Sequence, residues 1–367
     1  MHASLRSNNQ AGYSIIEMMI AATVMLIVTS AVVALLKGSL MVATTSYELT
    51  DAQESLRSAQ ECINRDLMNA GDGLKSITYI PVNTTFIQAY LTRTPIADAT
   101  MPTGATNLGI LTTDNDAPAG TTIPAPPAPS PLPSPSPIPL LTSTDRQTIL
   151  EIDPDLVTNP QIFPTSITSA GDVITLPSTT TTTDMAKFTP GEIYFLTSSR
   201  GGTFAMLTAK DATLKTLTFA SGDVCGLNNS GTTNRIKDIS SSGTIPTTLQ
   251  RMRIIQYFVD SGGILRRRVF GDRGAAFRDN IIAEHVLGVQ FVYSLGLESG
   301  GNPVQPTSLL TTPEEQVNIS QVQVTVTVET PHALNQGVKA RLSSTTSTSL
   351  RNMQFRQALQ PAASPTP

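Results

Sequence analysis

From Tyr13 to Leu36 the chain is almost unbroken apolar or small residues, and its one charge is Glu17. A helix of that length reaches about 36 Å at 1.5 Å per residue, enough to cross a bilayer core about 30 Å thick. A carboxylate inside such a segment costs roughly 2.5–3.5 kcal/mol on insertion scales, so a group kept there points to a function and to a partner.

The preceding residues supply the context. Residues 1–12 are polar, carry Arg6 and end in Gly12. An ordinary secretory signal places its small cleavage residue after an apolar core of about 7–15 residues. Here the small residue comes first, and the core is too long. A cut after Gly12 would leave the new amine on Tyr13 and put Glu17 in the first turn of the mature helix. The helix dipole favours a carboxylate there, and the Tyr13 amine of a neighbouring subunit is a natural partner.

Gly12-Tyr13-Ser14-Ile15-Ile16-Glu17, followed by Met18-Met19-Ile20-Ala21, resembles the type IV prepilin cleavage and methylation signal. The resemblance implies that a prepilin peptidase cuts after Gly12 and methylates Tyr13, and that Glu17 assists docking into a filament. The family usually has phenylalanine where this chain has Tyr13. Many major pilins also carry a helix-kinking proline in this stretch, which this chain lacks; Gly38 is the soft point near the end of the run.

The helical pattern continues past the apolar run. Leu49, Ala52, Leu56, Ala59, Ile63 and Leu67 recur at spacings of three and four, one apolar helical face. Glu48, Asp51, Glu54, Arg57, Glu61, Arg65 and Asp66 read as the opposite, solvated face, with Glu61–Arg65 in the favourable order for an ion pair. Gly71-Asp72-Gly73 then ends the helix. The spacing predicts one helix over roughly 13–69.

Beyond it the pattern is β. Segments 148–153, 192–197, 204–208 and 214–219 read as short strands. Arg253–Val259 and Ile264–Phe270 read as a hairpin turning at Ser261-Gly262-Gly263. Residues 281–295 read as one longer strand. In 317–330, Val322, Val324, Val326 and Val328 alternate with polar residues, the half-buried antiparallel pattern. Residues 117–139 are rich in proline and favour extended polyproline conformation. They read as an exposed spacer within a flexible insert over about 97–145. Thr179–Thr183 reads as a polar loop and 361–367 as a disordered tail.

Composition narrows the function classes. Charged residues are 14% and the formal net charge is −4, so there is no basic footprint for nucleic acid. Arg266-Arg267-Arg268 reads as an exposed strand segment, or else as a local partner or anionic-surface site. The two cysteines, Cys62 and Cys225, leave open either a bridge between helix and later domain or a buried free thiol. The three histidines, His2, His285 and His332, are scattered without zinc-ligand spacing, so no metal or other cofactor is expected. Gly222-Asp223 and Asn228-Asn229-Ser230-Gly231 read as turns rather than calcium loops. No catalytic motif stands out, and a non-enzymatic protein is expected.

The order Leu265–Val269, Ile282–Tyr293, the strand at 320–330 and Ser349-Leu350-Arg351-Asn352 resembles the PilW-type minor pilins and the related J-type minor pseudopilins of type II secretion. The resemblance implies an α+β, type IV pilin-like fold: a long N-terminal helix, half transmembrane and half amphipathic, packed on an antiparallel β-sheet domain. The implied organisation is a leader (1–12), a transmembrane or filament-core helix (13–36), an amphipathic helix (37–70) and a β-rich globular domain (71–360). The implied function is a minor pilin subunit in assembly or initiation of a type IV pilus. The alternatives are a J-type minor pseudopilin and a secreted β-rich adhesin with an ordinary signal sequence. Implied partners are the prepilin peptidase, other minor and major pilins and the inner-membrane assembly platform. The implied location is the inner membrane, single pass, with the globular domain on the periplasmic side, and then the pilus or pseudopilus.

Overall fold

A computed structural model describes residues 14–72, 74, 80–91, 104–125, 136–153, 164–228, 235–241, 243–271, 277–296, 298–299, 302–312, 315–316, 318–334 and 337–350. The leader with Gly12, and also Tyr13, Gly73, Asn229-Ser230-Gly231, Arg351-Asn352 and the 361–367 tail, lie outside the described residues.

Helix α1 runs Ile15–Asn69, about 80 Å at 1.5 Å per residue. Its apolar half contains no proline, and its hydroxyls are turned onto the helix's own backbone. Thr23 Oγ1 donates to Met19 O at 2.8 Å, Thr29 Oγ1 to Met25 O at 2.7 Å and Ser30 Oγ to Ile27 O at 2.7 Å. Such bonds satisfy the hydroxyls within the helix itself, without recourse to water. At the other end Gly71 adopts φ 74° and donates its N–H to Leu150 O at 2.8 Å. The left-handed conformation that glycine allows stops the helix there.

The chain divides into two compact units, and α1 contributes to both. The first comprises residues 1–51 with 330–340. Its large apolar side chains from Ile15 to Leu36 are exposed, from 54% at Val24 to 82% at Ile15. The loop 330–340 is closed by Thr330 N–H to Ala340 O (2.9 Å) and Leu334 N–H to Val338 O (2.9 Å). His332 clasps it to α1: its backbone N–H donates to Glu48 Oε2 at 3.1 Å, and its ring Nδ1 lies 2.9 Å from Glu48 Oε1.

The second unit holds residues 52–329 and 341–367. Its main sheet has seven strands, all antiparallel where paired. Strand Thr248–Val259 lies at its centre. One edge of that strand is shared in turn by Ile193–Ser198 and Leu265–Phe270, and the other pairs with Arg146–Ile152. Gly201–Met206, Leu111–Asp114 and Phe277–Ala283 extend the sheet outward. A second sheet runs Val286–Leu295, Ile319–Glu329, Arg341–Ser349. Val322, Val324, Val326 and Val328 are each 0% exposed. Burying one such side chain stabilises by about 2 kcal/mol, which fixes the register, since a one-residue slip would turn all four to solvent.

The later half of α1 lies on this core. Ala52, Ala59, Ile63 and Leu67 are buried, and Leu56 packs beside them. Polar bonds set the docking. Ser58 Oγ donates to Ile282 O (3.1 Å), and Asn64 joins Thr346 (3.1 Å) and Thr348 (2.8 Å). The α+β architecture expected from the sequence is therefore present: a long helix, apolar then amphipathic, with antiparallel sheets.

Several local expectations change. The flanks of the proline-rich run belong to the fold rather than to a flexible insert over 97–145. Leu108, Ile110 and Leu111 are buried, Leu111–Asp114 joins the main sheet, and Thr122–Ile123 pairs with Ile138–Pro139. Residues 126–135 lie outside the described residues. Thr179–Thr183 is partly helical, because the Thr181 and Asp184 side chains form a capping box that starts a short helix at Thr182. The strand expected over 281–295 is two, Phe277–Ala283 and Val286–Leu295, broken where His285 takes φ 58°. Strand Arg341–Ser349, almost wholly serine and threonine, was not expected.

Candidate functional site

The candidate assembly head is the start of α1. Ser14 is the last residue before the helix and Glu17 lies in its first turn. Ser14 Oγ accepts the Ile16 N–H at 3.3 Å, while Glu17 Oε2 accepts the Ser14 N–H at 3.1 Å. The Ser14 side chain thus takes one N–H of the first turn, and the Glu17 side chain reaches back to the backbone N–H of Ser14. The carboxylate also sits at the positive end of the helix dipole. Both residues are exposed, so Glu17 is open to an approaching cation. Gly12 and Tyr13, the expected cleavage and methylation residues, lie outside the described residues.

From Glu17 the helix presents apolar side chains on all sides. Leaving the large ones in water forgoes on the order of 20 kcal/mol of burial free energy, so this surface requires lipid or protein around it. Lys37 follows Leu36 immediately and marks the polar end of the run.

A second constellation holds the later half of α1 to the main sheet. Asp66, only 2% exposed, accepts from the Tyr257 hydroxyl at 2.6 Å and from Arg267 Nε. It also meets Arg65 Nε at 3.4 Å. Cys62 Sγ lies 3.3 Å from the Tyr257 hydroxyl and 3.6 Å from Arg65. Burial, then the Asp66 charge, pushes the Tyr257 phenol well above its ordinary value, so it remains a proton donor. Nearby Glu151 is 5% exposed, and its Oε2 has no hydrogen-bond partner among the described residues. Burial pushes its carboxyl up to about 7; Asp66 and Asp153 add to the rise, and Arg267 and Arg253 oppose it.

Asp66 therefore leaves the solvated face assigned to it from its charge. It stands three residues after Ile63 and seven after Ala59, on the buried side, and that spacing was the available signal. Arg65 meets Asp66 rather than the expected Glu61. The arginine run is not an exposed strand either. Arg266 pairs with Asp260 (2.7 Å), Arg267 with Asp66, and Arg268 is 0% exposed. Arg268 grips Asp279 through two bonds of 2.7 Å, donates to Pro124 O at 2.7 Å and lies 4.1 Å from the Phe277 ring centroid. All three guanidiniums are committed within the fold, which removes the anionic-surface reading.

No disulfide joins Cys62 and Cys225 in this structure. Cys225 is buried, and burial, with Asp223 adding, pushes its thiol up to about 12. The Asp223 carboxylate closes its own turn, accepting from Leu227 N (3.0 Å) and Asn228 N (2.7 Å). Among the described residues no group of three or more His, Cys, Asp or Glu is placed to hold a metal ion.

Residues 7–33 match the prokaryotic N-terminal methylation motif. The match spans Gly12, Tyr13, Ser14, Glu17 and most of the exposed apolar run. No curated protein and no solved structure matches the chain. The prepilin-type motif, joined to a helix long and apolar enough to cross a membrane, makes this a membrane-anchoring, type IV pilin-like N-terminus.

Proposed function

We propose that this type IV pilin-like chain is a structural, non-enzymatic minor pilin of the PilW type, taking part in assembly or initiation of a type IV pilus. The observation that carries the reading is the exposed apolar half of α1, with Glu17 in its first turn, inside a prepilin-type motif. Prepilin peptidase hydrolyses the chain after Gly12 and methylates Tyr13. Until assembly the apolar half-helix is stored in the inner membrane, with the β-rich domain on the periplasmic side. Glu17 then meets the Tyr13 amine of an adjacent subunit, and the attraction is strengthened by the low dielectric around it. The helix passes from lipid into the filament core, where apolar side chains of neighbours replace the acyl chains. The β-rich domain stays outside and selects the neighbours that fit. Its size supports a minor subunit at an initiating or tip position over a major repeating one, an argument by analogy between folds.

The test is Glu17→Ala and Glu17→Val in cells that assemble the filament. Cleavage continues in both, because the cut lies before the helix, while incorporation into sheared filaments falls at least tenfold, the equivalent of about 1.4 kcal/mol. Normal incorporation of both variants would sink the charge pairing.

A further inference from the structure

We propose that the loop 330–340 is a membrane-surface contact: while α1 is stored in a bilayer, the loop rests in the lipid headgroup layer and sets how deep the helix sits. This role rests on the membrane-anchoring N-terminus and not on which filament the chain enters. The helix carries its own depth scale. Glu17 and Lys37 bracket about 30 Å of α1, the thickness of a hydrocarbon core. With these two charges at the two boundaries, Lys37 marks the outer edge of the acyl chains. The headgroup layer adds about 5–7 Å beyond it, roughly one more helical turn.

Apolar exposure does not stop at Lys37. Leu40 is 60% exposed and Val42 70%. Met41, Thr45 and Glu48, by contrast, are half-buried, and their spacing of four and three puts them on one face of α1. The other segment of the same compact unit is 330–340, and His332 clasps it to Glu48 through its backbone N–H and its ring. The loop therefore shields this face, and its cover begins at Met41, one turn above Lys37. That is headgroup depth. Past the clasp the loop turns tightly, with Leu334 N–H bonded to Val338 O at 2.9 Å and Gly337 N–H to Leu334 O at 2.8 Å. The turn leaves Val338 68% exposed. A single exposed valine would mean nothing. Here Leu40, Val42 and Val338 extend an apolar surface that already requires lipid, so the occupant that continuity points to is the same bilayer. A loop with open backbone groups cannot enter the acyl chains, whereas hydrated headgroups satisfy it. The loop thus acts as a stop at the membrane surface.

The chain has no tryptophan, so a single substitution gives a unique fluorophore. Full-length Val338→Trp, Ile27→Trp and Leu214→Trp are each reconstituted in phosphatidylcholine vesicles. The lipid is plain, or brominated either high on its acyl chains or near their ends. Ile27 lies midway between Glu17 and Lys37. Leu214, 66% exposed in the β-rich unit, controls for the affinity of tryptophan itself for membrane interfaces. Expected is Val338→Trp emission at shorter wavelength than that of Leu214→Trp, lost more to high bromines than to deep ones. Ile27→Trp loses most to the deep bromines, and Leu214→Trp loses none. Val338→Trp as unquenched as Leu214→Trp would overturn the contact and leave the anchor intact. A blue shift without bromine quenching would mean that protein covers the loop, and would overturn it too. So would equal quenching at Leu214→Trp, since tryptophan would then be seeking lipid on its own. An unquenched Ile27→Trp would overturn the anchoring as well.

Discussion

Replacing Glu151 by glutamine should stabilise the β-rich unit at alkaline pH and leave it nearly unchanged in acid. Glu151 sits on strand Arg146–Ile152 and is 5% exposed, with Asp66, Asp153, Arg253 and Arg267 around it. Its carboxyl is raised from an ordinary 4.5 to about 7. A group whose folded pKa is raised favours the fold most when protonated. Its contribution is therefore intact below pH about 4.5 and is lost as pH rises through about 7. A rise of that size corresponds to at most about 3 kcal/mol, at 1.36 kcal/mol per unit. Glutamine keeps the shape and cannot ionise, so Glu151→Gln should exceed wild type by up to about 3 kcal/mol at pH 8, or roughly 6 °C in Tm. The assay is thermal unfolding of the full chain in nonionic detergent at pH 5 and pH 8. Equal Tm differences at the two pH values would refute the reasoning, because then Glu151 does not titrate between them. A glutamine variant less stable than wild type at pH 8 would show that the carboxylate is held by the arginines rather than penalised by burial.

Two further outcomes follow from the helix–sheet contact and the thiols. Asp66→Ala leaves the largely buried Arg267 guanidinium without its carboxylate partner, and should cost about 3–5 kcal/mol; Tyr257→Phe should cost only about 1–2 kcal/mol. Urea unfolding that ranks the two in the opposite order contradicts the placement of Asp66. Alkylation of the native chain at pH 8 should modify Cys62 and spare Cys225, with both reacting once the chain is unfolded, as read by intact mass; equal native reactivity would contradict the buried position of Cys225.

Much of this molecule is written in local pattern. Leu56, Ala59, Ile63 and Leu67 share a helical face, and Val322 to Val328 share a strand face, so period alone exposes both elements. The helix end at Gly71 is legible because one residue type does that job cheaply. Strand Arg341–Ser349 was hidden because its inward positions, such as Thr346 and Thr348, are hydroxyls. They bond Asn64 of α1, and nothing local distinguishes them from the outward Ser343 and Thr345. Arg268 and Asp279 were unreadable for a related reason, since a buried ion pair looks like two surface charges until its partner is known. The head of the helix was half legible. Glu17 stands out by its charge among apolar residues, while Ser14 passes as a small polar residue until its bonds to Ile16 and Glu17 are seen.

The central claim is that this chain enters a filament by way of a processed N-terminus. The most direct measurement is mass spectrometry of the mature N-terminus, with and without co-expressed prepilin peptidase. The account predicts a chain beginning at N-methyl-Tyr13 only when the peptidase is present. A start near residue 32 or 35, independent of that peptidase, would remove Glu17 with the apolar helix and contradict the mechanism.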